Sequence, residues 1–486
     1  MIENLKNKNI HIIGVSGAEG SAIALFLASQ KCKKLTAHDF CEKKDFSKNF
    51  FSFHDALALS EKEKIFKKLK RSPIKFNFKE DYLRGIKQAD LIFVPQSWFR
   101  YPENEPLFKL RKKIKFCNIT KLYFDLCHAP IIAVTGTSGK STTARLIYEI
   151  LKKERRGETY FSGNDRENIQ ILDKIFNIKR EDALVLEISN RQLKINLGKS
   201  PYIGVLTNIS PNHLDDHKSF SDYVLTKASL FKYQTKKNFA VLNYDNQFVR
   251  EIADEVKSQV YFFSRRVEIE QGAFLKNNEI IIRAEGCEYK ICSVLDLKLI
   301  GPHNIENVLA ASLASFLFGI NTKIIRRVVT NFRGLKSRLE LVREYQGVRY
   351  YEDSSACNFD GLKAAIKSFK CPIILIAGGE RKKIIPSEFD ELAQSIIESK
   401  VKALFLIGKK AKLIFQAIKK KIHEYKKPGP IIKICKDLKE AVQNSYKSAQ
   451  DNDVVILSPG CESFDMFLDY RDRGRKFKRL VKNLPY

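Results

Sequence analysis

The sequence predicts an α/β protein built from three domains. Its length of 486 residues corresponds to about three domains of ordinary size. Short apolar segments with the composition of buried strands alternate with helical patterns, which indicates parallel sheets joined by crossover helices. Glycine-containing turns follow three of these strands. We expect boundaries near residues 128 and 339, which gives domains over 1–128, 129–339 and 340–486.

The composition is strongly basic, with a formal net charge of +30. Lysine is spread along the whole chain, and short runs such as Lys419 to Lys421 are typical of solvated helix faces, so the charge does not predict a nucleic-acid partner. A basic field would instead attract nucleotide and carboxylate substrates.

Cysteine usage and hydropathy bear on the compartment. The ten cysteines form no CxxC pair, and no basic segment followed by an apolar leader opens the chain. No apolar run approaches the roughly 20 residues that span a bilayer. We expect a cytoplasmic protein that does not insert into a membrane.

The first domain opens with a strand over residues 11–14, a turn containing Gly14, Gly17 and Gly20, and a helix near 21–30. A second strand ends at Asp39, where a dinucleotide-binding fold places its ribose-binding acid, although the turn lacks a complete GxGxxG. The pattern predicts a Rossmann-like N-terminal domain.

The central domain begins with a buried-type strand over 131–134, a glycine loop and a helix that starts near Ser141. Glycines let backbone N–H groups turn toward phosphate oxygens, while Lys140 can reach terminal phosphates and the Ser141 hydroxyl can bind Mg²⁺. The spacing is shorter than the general Walker pattern, because Val134 stands where that pattern has glycine. These features predict a P-loop ATPase-type parallel sheet. The loop comprises Gly136, Thr137, Ser138, Gly139, Lys140, Ser141 and Thr142.

Candidate metal and substrate groups follow in the same domain. Glu187 lies near the end of a strand over 183–188, and its carboxylate suits Mg²⁺ beside ATP phosphates. His213 follows a later strand, and Lys227 lies in a helical stretch. Judged by spacing alone, a histidine such as His213 is more often an ordinary loop residue, and a lysine such as Lys227 is more often a solvated helix lysine.

The third domain repeats the α/β pattern, with strands over 373–377, 403–407 and 454–457. Gly378 and Gly379 end the first of these strands and precede Lys382. This arrangement predicts a Rossmann-like C-terminal domain.

Four motifs together resemble the Mur ligase family over essentially all 486 residues. The loop over 136–142 is similar to the family's shortened P-loop, and residues 301–311 are similar to its GxHNxxNxLAA segment. Residues 457–467, followed by Arg473 and Gly474, resemble the C-terminal LSPxxxSxDxF and RG signature of one branch.

The resemblance implies an enzyme of peptidoglycan precursor synthesis that uses ATP and Mg²⁺. It implies addition of D-glutamate to UDP-N-acetylmuramoyl-L-alanine through an acyl-phosphate, with release of ADP and phosphate, by a monomer. In the family, the lysine matched by Lys227 is carbamylated and helps to place a magnesium ion.

The resemblance also assigns roles to individual residues. The catalytic and metal group is Lys140, Ser141, Glu187, His213 and Lys227. Beyond the 136–142 loop, the implied ATP contacts are Asn304, Asn307, Arg338 and Asp353. The implied substrate contacts are Val15, Ser16, Asp39, Asn164, Lys382, Ser463 and Tyr470.

The sequence departs from the family at several substrate positions. Ser355 and Cys357 replace the lysine and threonine of NDSKATN. Ser337 replaces the histidine of HRxE, and Cys41 stands where the first domain usually has arginine. These changes keep two alternatives open: a Mur-type ligase for another amino acid or UDP-muramoyl acceptor, and a catalytically idle cell-wall scaffold. A folylpolyglutamate synthase is disfavoured, because it lacks a separate UDP-binding domain.

Overall fold

The computed structural model describes residues 5–54, 57–154, 157–164, 170–211, 216–381, 385–426 and 428–485. The chain divides into two compact units. The first comprises Met1–Leu295 with Glu306–Thr330, and the second comprises Asp296–Ile305 with Asn331–Tyr486. The first unit contains two sheets and the second contains one.

The N-terminal sheet has five strands, all parallel, in the order β3-β2-β1-β4-β5. The strands are β1 (Asn9–Ile13), β2 (Lys34–His38), β3 (Lys75–Asn77), β4 (Leu91–Phe93) and β5 (Lys115–Cys117). The accompanying helices are α1 (Ala18–Ser29), α2 (Phe46–Phe53), α3 (Leu59–Arg71), α4 (Glu105–Leu110) and α5 (Ile119–Leu126). The chain changes direction across the sheet between β1 and β4, and such a switch point is where open α/β sheets bind ligands.

The central sheet has nine strands in the order β14-β13-β12-β11-β10-β9-β6-β8-β7. The strands are β6 (Ile131–Thr135), β7 (Thr159–Gly163), β8 (Ala183–Glu187), β9 (Ile203–Leu206), β10 (Phe239–Asn243), β11 (Gln259–Ser264), β12 (Gly272–Lys276), β13 (Glu279–Ala284) and β14 (Cys287–Ser293). The helices that follow in chain order are α6 (Lys140–Leu151), α7 (Asn190–Leu193), α8 (Phe220–Ala228), α9 (Gln247–Ala253), α10 (Pro302–Leu317) and α11 (Thr322–Asn331).

This central sheet is mixed rather than wholly parallel. Seven strands, from β12 to β7 in sheet order, are parallel as predicted, whereas β13 and β14 add antiparallel hairpins. The turns into β13 and β14 are too short for a crossover helix, and such short turns join antiparallel strands. The phosphate-type loop follows β6, which lies between β8 and β9 at a second switch point.

The C-terminal sheet has six strands in the order β15-β16-β20-β17-β18-β19. The strands are β15 (Glu340–Tyr345), β16 (Val348–Glu352), β17 (Ile373–Gly378), β18 (Val401–Ile407), β19 (Ile431–Ile434) and β20 (Val454–Leu457), and β15 alone is antiparallel to its neighbour. The helices are α12 (Phe359–Ile366), α13 (Pro386–Ile397), α14 (Ala411–Tyr425), α15 (Leu438–Ser448) and α16 (Tyr470–Lys482). Apolar clusters cover both faces of the sheet, and the third switch point lies between β20 and β17.

The structure thus confirms the predicted fold class, an α/β protein with three sheets. Several strands are apolar and buried along their whole length, as in ALVLE of β8 and VVIL of β20. This composition is expected for strands of a sheet that is covered on both faces. Among the described residues, no helix combines the length and hydropathy needed to cross a membrane.

Candidate functional site

Two glycines shape the loop between β6 and α6. Gly136 and Gly139 have φ values of 151° and 83°, which L side chains rarely adopt. A Cβ at position 136 would lie 1.9 Å from the Thr207 hydroxyl oxygen, and one at position 139 would lie 2.3 Å from Asn307 Oδ1. Both glycines are therefore required by conformation and by space.

The loop rests on the segment that follows β9. The Thr137 N–H donates to the Asn208 carbonyl oxygen at 2.8 Å, and the Ser138 N–H donates to Asn208 Oδ1 at 2.9 Å. The Thr207 hydroxyl donates to the Ser138 carbonyl oxygen at 2.6 Å. These bonds hold the loop in one conformation. Neither Thr207 nor Asn208 was assigned a role from the sequence, since no motif distinguishes them.

Lys140 begins α6 and folds over the loop. Its Nζ donates to the carbonyl oxygens of Gly136 at 3.0 Å and Thr137 at 2.9 Å. The partial positive charge of the α6 amino end lies at the same place. Ser141 is half-buried in the first turn, and Thr142 is buried.

Lys227, from α8, reaches the same loop from the opposite side. Its Nζ donates to the Gly136 carbonyl oxygen at 2.7 Å and lies 4.7 Å from the Tyr223 ring centroid. The side chain is only 1% exposed. Burial lowers the pKa of this amine well below its ordinary value, and the charge of Lys140 lowers it further. The interpretation as a solvated helix lysine is therefore wrong.

Tyr223 was not predicted. Its hydroxyl lies 3.0 Å from the Thr137 hydroxyl, and its ring faces Lys227. The only signal in the sequence is its position four residues before Lys227, on the same face of a helix.

Glu187 ends β8, and β8 pairs directly with β6. The carboxylate is 2% exposed, and Oε1 accepts a hydrogen bond from Asn164 Nδ2 at 3.2 Å. Oε2 is buried and has no hydrogen-bond partner among the described residues. The structure thus brings Asn164 and Glu187 together.

His213 lies outside the described residues. The nearby His217 is bound on both ring nitrogens, to Asn190 at 2.8 Å and to Asp222 at 3.0 Å. Within the part of the chain that the structure describes, no group of three or more His, Cys, Asp or Glu could hold a metal ion.

Asn307 and Asn304 lie one helical turn apart in α10. Asn307 Oδ1 accepts a hydrogen bond from the Thr143 hydroxyl at 3.2 Å, which places Asn307 against the phosphate-type loop. Asn304 belongs to the second unit, and its Nδ2 donates to the Ile300 carbonyl oxygen at 2.7 Å.

The loop after β1 is fixed by Asp39. The Ser16 N–H donates to Asp39 Oδ2 at 2.9 Å, and the Cys41 N–H donates to Oδ1 at 3.3 Å. The Val15 N–H donates to the His38 carbonyl oxygen at 3.2 Å. Asp39 therefore shapes the predicted nucleotide loop, and both of its oxygens are engaged by backbone.

An aromatic cluster forms around Phe40, the residue that follows Asp39 in the chain. The Phe40 ring lies 6.0 Å from that of Tyr82 and 5.1 Å from that of Tyr101, between centroids. These flat surfaces suit a nucleobase. These rings were not predicted from the sequence, because they come from three separate loops.

Two buried histidines, His11 in β1 and His38 at the end of β2, lie next to each other. The Leu83 N–H donates to His38 Nδ1, so His38 Nε2 carries a proton and donates to His11 Nδ1 at 2.8 Å. Burial lowers the pKa of His11 to about 4 and that of His38 to about 3, and the nearby Lys75 adds to both shifts.

In the second unit, Asp353 follows β16 and is buried. Its Oδ2 accepts a hydrogen bond from the Ser458 hydroxyl at 2.7 Å, and its Oδ1 accepts one from the Leu339 N–H at 3.2 Å. Burial raises the pKa of Asp353 to about 7. Arg338 is exposed next to Ser337, which has a φ of 58°.

Arg473 ties together the loops at the third switch point. It is fully buried, and its guanidinium donates to the carbonyl oxygens of Cys461 at 3.1 Å and Ser354 at 3.0 Å. The Cys357 thiol lies 3.8 Å from Arg473 Nη2. Arg473 was noticed in sequence as part of a signature, but without this role.

Of the predicted amino-acid contacts, Ser463 is buried in the loop after β20, and Tyr470 is half-buried at the start of α16. Lys382 lies outside the described residues.

The fold and these loops define a nucleotide-dependent α/β enzyme with a phosphate-binding loop in its central domain. Family models of the Mur ligase middle domain and of the "Mur ligase, glutamate ligase domain" match residues 134–315 and 337–461, respectively. The chain belongs to the Mur ligase family, as its motifs predicted.

Several curated proteins that are similar to this chain share one name. The UDP-N-acetylmuramoylalanine–D-glutamate ligase of Acetivibrio thermocellus is 42% identical, over 85% of this chain and 86% of its own length. The enzyme of the same name from Thermoanaerobacter sp. is 36% identical over 99% of both chains.

Solved structures with low sequence identity share the fold. UDP-N-acetylmuramate–alanine ligase from Thermotoga maritima matches with a TM-score of 0.58 at 16% identity, over 98% of this chain and 99% of its own. A pseudomurein peptide ligase from Methanothermus fervidus matches with a TM-score of 0.57 at 20% identity, over 99% and 100% of the two chains.

Proposed function

We propose that this protein is an ATP-dependent ligase that joins D-glutamate to UDP-N-acetylmuramoyl-L-alanine in peptidoglycan precursor synthesis. The proposal rests on one observation: Lys140 and the buried Lys227 both donate a hydrogen bond to the Gly136 carbonyl oxygen in the phosphate-type loop. Burying an amine against an ordinary solvated loop would cost free energy without a benefit, whereas a phosphate-binding site uses the side chains of both lysines. Relatives that match nearly the whole chain bear the name of this activity.

The ATP phosphates would bind the N–H groups and side chains of residues 136–142. Lys140 would turn from its two carbonyl partners toward the γ-phosphate when ATP arrives. Asn307 supports the loop from behind, and we assign the remaining nucleotide contacts to Asn304, Arg338 and Asp353.

The residues present fit a magnesium ion. Glu187 Oε2 is a buried anionic oxygen with no hydrogen-bond partner among the described residues, and Mg²⁺ prefers hard oxygen donors. The Ser141 hydroxyl is a second oxygen donor, and His213 is assigned by resemblance. Magnesium would neutralise charge on the phosphate oxygens.

Lys227 would join this group as a carbamate. Burial lowers the pKa of its amine and so favours the neutral form, which can attack carbon dioxide, forming an N–C bond and releasing one proton. The product presents two oxygens and a negative charge, whereas the free amine is a poor ligand for a hard cation. The adjacent charge of Lys140 would stabilise the carbamate.

The reaction proceeds in two displacements. The substrate carboxylate forms a bond to the γ-phosphorus as the bond to ADP breaks, while Lys140 and the α6 amino end compensate charge on the phosphoryl oxygens. The glutamate nitrogen then attacks the acyl carbon, loses a proton, and phosphate leaves. Positioning contributes much of the rate, because phosphoryl transfer needs little covalent help from the protein.

The UDP-sugar would bind the first domain at Val15, Ser16 and Asp39, with Asn164 facing its muramoyl end. The amino acid would bind Lys382, Ser463 and Tyr470 in the third domain. Arg473 holds the segment that carries Ser355 and Cys357, so it would position the pocket where the family lysine is missing. We assign the three domains to 1–128, 129–339 and 340–486, and expect a cytoplasmic monomer.

Release of ADP tests this function. Purified protein with Mg²⁺, ATP and UDP-N-acetylmuramoyl-L-alanine should release ADP with D-glutamate, and much less with L-glutamate or no amino acid. Lys140→Ala should abolish release, while Lys152→Ala, an exposed lysine after the same helix, should not. Activity with a different amino acid would replace D-glutamate in the proposal, and no release under any combination would refute it.

A further inference from the structure

The amino edge of the N-terminal sheet carries a concentrated positive charge. All five strands are parallel, so the loops that precede them meet at one edge. Three of these loops, taken together with the helix and strand ends that they join, cover 31–34, 70–75 and 112–115, and each contains three exposed Lys or Arg residues and no Asp or Glu. We call these three loops the basic edge.

The basic edge is compact. The strand starts lie in near register, since Asn9 pairs with Lys34 and Leu91 pairs with Lys115. Five strands at about 4.8 Å spacing span about 19 Å, so many of these charges lie within one or two Debye lengths of each other. The other two strands add exposed Lys8 and Lys87, with Asp90 bonded to the Asn9 N–H.

The opposite edge of the same sheet has the reverse charge. The loops 39–45, 78–81 and 95–105 contain seven acidic residues (three, two and two) against four basic ones. The concentration of cations at the amino edge is therefore a local feature of the fold and not merely the average of a basic chain.

The negative ends of the helix dipoles neutralise only a small part of this positive charge. Helices α1 and α4 end just before two of these segments, α3 ends at Arg71 within the third, and each carboxyl end carries about half a negative charge. Three such ends offset about 1.5 charges, whereas the basic edge holds nine cations. Most of its charge remains available to an external partner.

We propose that the basic edge docks the protein reversibly on an anionic lipid bilayer. Eight of its nine cations are lysines, which are point charges suited to a plane of headgroups, whereas paired phosphate recognition favours arginine. The three loops contain no aromatic residue, so they lack the stacking surfaces that single-stranded nucleic acids use.

The geometry leaves the candidate site free. The loop after β1 lies at the carboxyl edge, about 17 Å from the basic edge along a strand of five residues. A protein docked by the basic edge would therefore hold this loop away from the lipid. Docking would thus hold the protein at the membrane surface while the loop after β1 stays accessible to its nucleotide.

Co-sedimentation with vesicles tests the proposal. The full-length protein should bind vesicles that contain about 30% phosphatidylglycerol in phosphatidylcholine, and should not bind phosphatidylcholine alone. Binding should be lost in about 0.5 M KCl, where the Debye length falls to a few ångströms.

The variant K33Q/K34Q/K112Q/K113Q should weaken binding by at least about tenfold, because each lysine near such a surface contributes about fivefold. The control K412Q/K419Q/K439Q/K447Q changes net charge equally, at exposed positions of the second unit, and should bind like the wild type. If the first variant unfolds at a lower temperature, K75Q/K115Q provides a milder replacement with the same expected direction.

Equal losses in both variants would mean that net charge, not the basic edge, drives binding, and would overturn the proposal. So would failure of the wild type to bind anionic vesicles. Tighter binding to duplex DNA than to these vesicles at equal salt would assign the edge to nucleic acid instead. Each readout is independent of ligase activity.

Discussion

The requirement for glycine in the phosphate-type loop is tested by a matched pair of substitutions, Gly139→Ala and Gly286→Ala. The two glycines have nearly equal φ values, 83° and 77°, so alanine meets the same backbone strain at both. They differ in surroundings: a Cβ at position 286 meets nothing within 4 Å, whereas one at 139 lies 2.3 Å from Asn307 Oδ1.

The structure sets the size of the effect. Gly286→Ala should lower the free energy of unfolding by about 1 kcal/mol, from left-handed strain partly offset by reduced freedom of the unfolded chain. Gly139→Ala must also displace the buried Asn307 side chain by about 1 Å, which breaks the bond from the Thr143 hydroxyl. Loss of a buried hydrogen bond adds about 1–3 kcal/mol.

The consequence for catalysis should be larger. Asn307 and the loop N–H groups would shift together, and a 1 Å displacement at a reacting centre costs roughly a hundredfold in rate. We therefore expect Gly139→Ala to reduce kcat/KM for ATP by about 10- to 100-fold, and Gly286→Ala to leave it unchanged.

Urea unfolding and initial rates of ADP release measure the two quantities. Equal stability of the two variants together with normal ATP turnover by Gly139→Ala would refute the packing argument. Loss of turnover in both would show that the rate reports general destabilisation and not loop geometry.

Three further predictions concern buried titratable groups. Lys227→Ala should lower kcat by at least about a hundredfold, with partial rescue by short carboxylic acids, while the exposed Lys232→Ala should be neutral; full activity of Lys227→Ala without added acid would remove the carbamate. Asp353 has a pKa of about 7 when folded and near 3.8 when unfolded, so its contribution to stability is present below pH 4 and falls by up to about 4 kcal/mol as pH rises to 7. Asp353→Asn should flatten that part of the stability profile, and an unchanged slope in urea titrations would contradict the assignment. The pKa values of His11 and His38, about 4 and 3, lie below the unfolded value of 6.5, so their contribution is present above pH 6.5 and is lost as pH falls toward 4. His11→Gln should reduce this acid sensitivity by roughly 3 kcal/mol, and a thermal midpoint that falls as steeply with acid as in the wild type would exclude the pair.

Local patterns in the sequence were sufficient for the fold class and the phosphate-type loop. Buried strands covered on both faces are continuous apolar runs, so β6, β8 and β20 were visible directly. A loop that turns backbone N–H groups toward phosphate needs glycine at fixed spacing, so Gly136 and Gly139 were also visible. The antiparallel β13 and β14 were not predicted, because β13 is buried only at alternate positions and β14 is mostly exposed, so neither is a strand that is buried throughout.

The site depends on contacts between residues that are distant in sequence. The sequence pattern around Lys227 is that of a solvated helix lysine. In the fold, its Nζ lies 2.7 Å from the carbonyl oxygen of Gly136, 91 residues away. Arg473 likewise binds a carbonyl oxygen 119 residues away. Periodicity reports which face of an element is buried, but not which other element covers that face.

The same reasoning applies to charge. Three features could be determined from the sequence alone: the basic composition, the α/β fold class and the phosphate-type loop. The sequence was sufficient because composition, periodicity and glycine spacing can each be recognised without knowing which distant residues are in contact. Its lysines looked dispersed along the chain. Only the tertiary structure decided that nine cations from three separated loops share one edge, because parallel strands bring every strand start to the same side of the sheet.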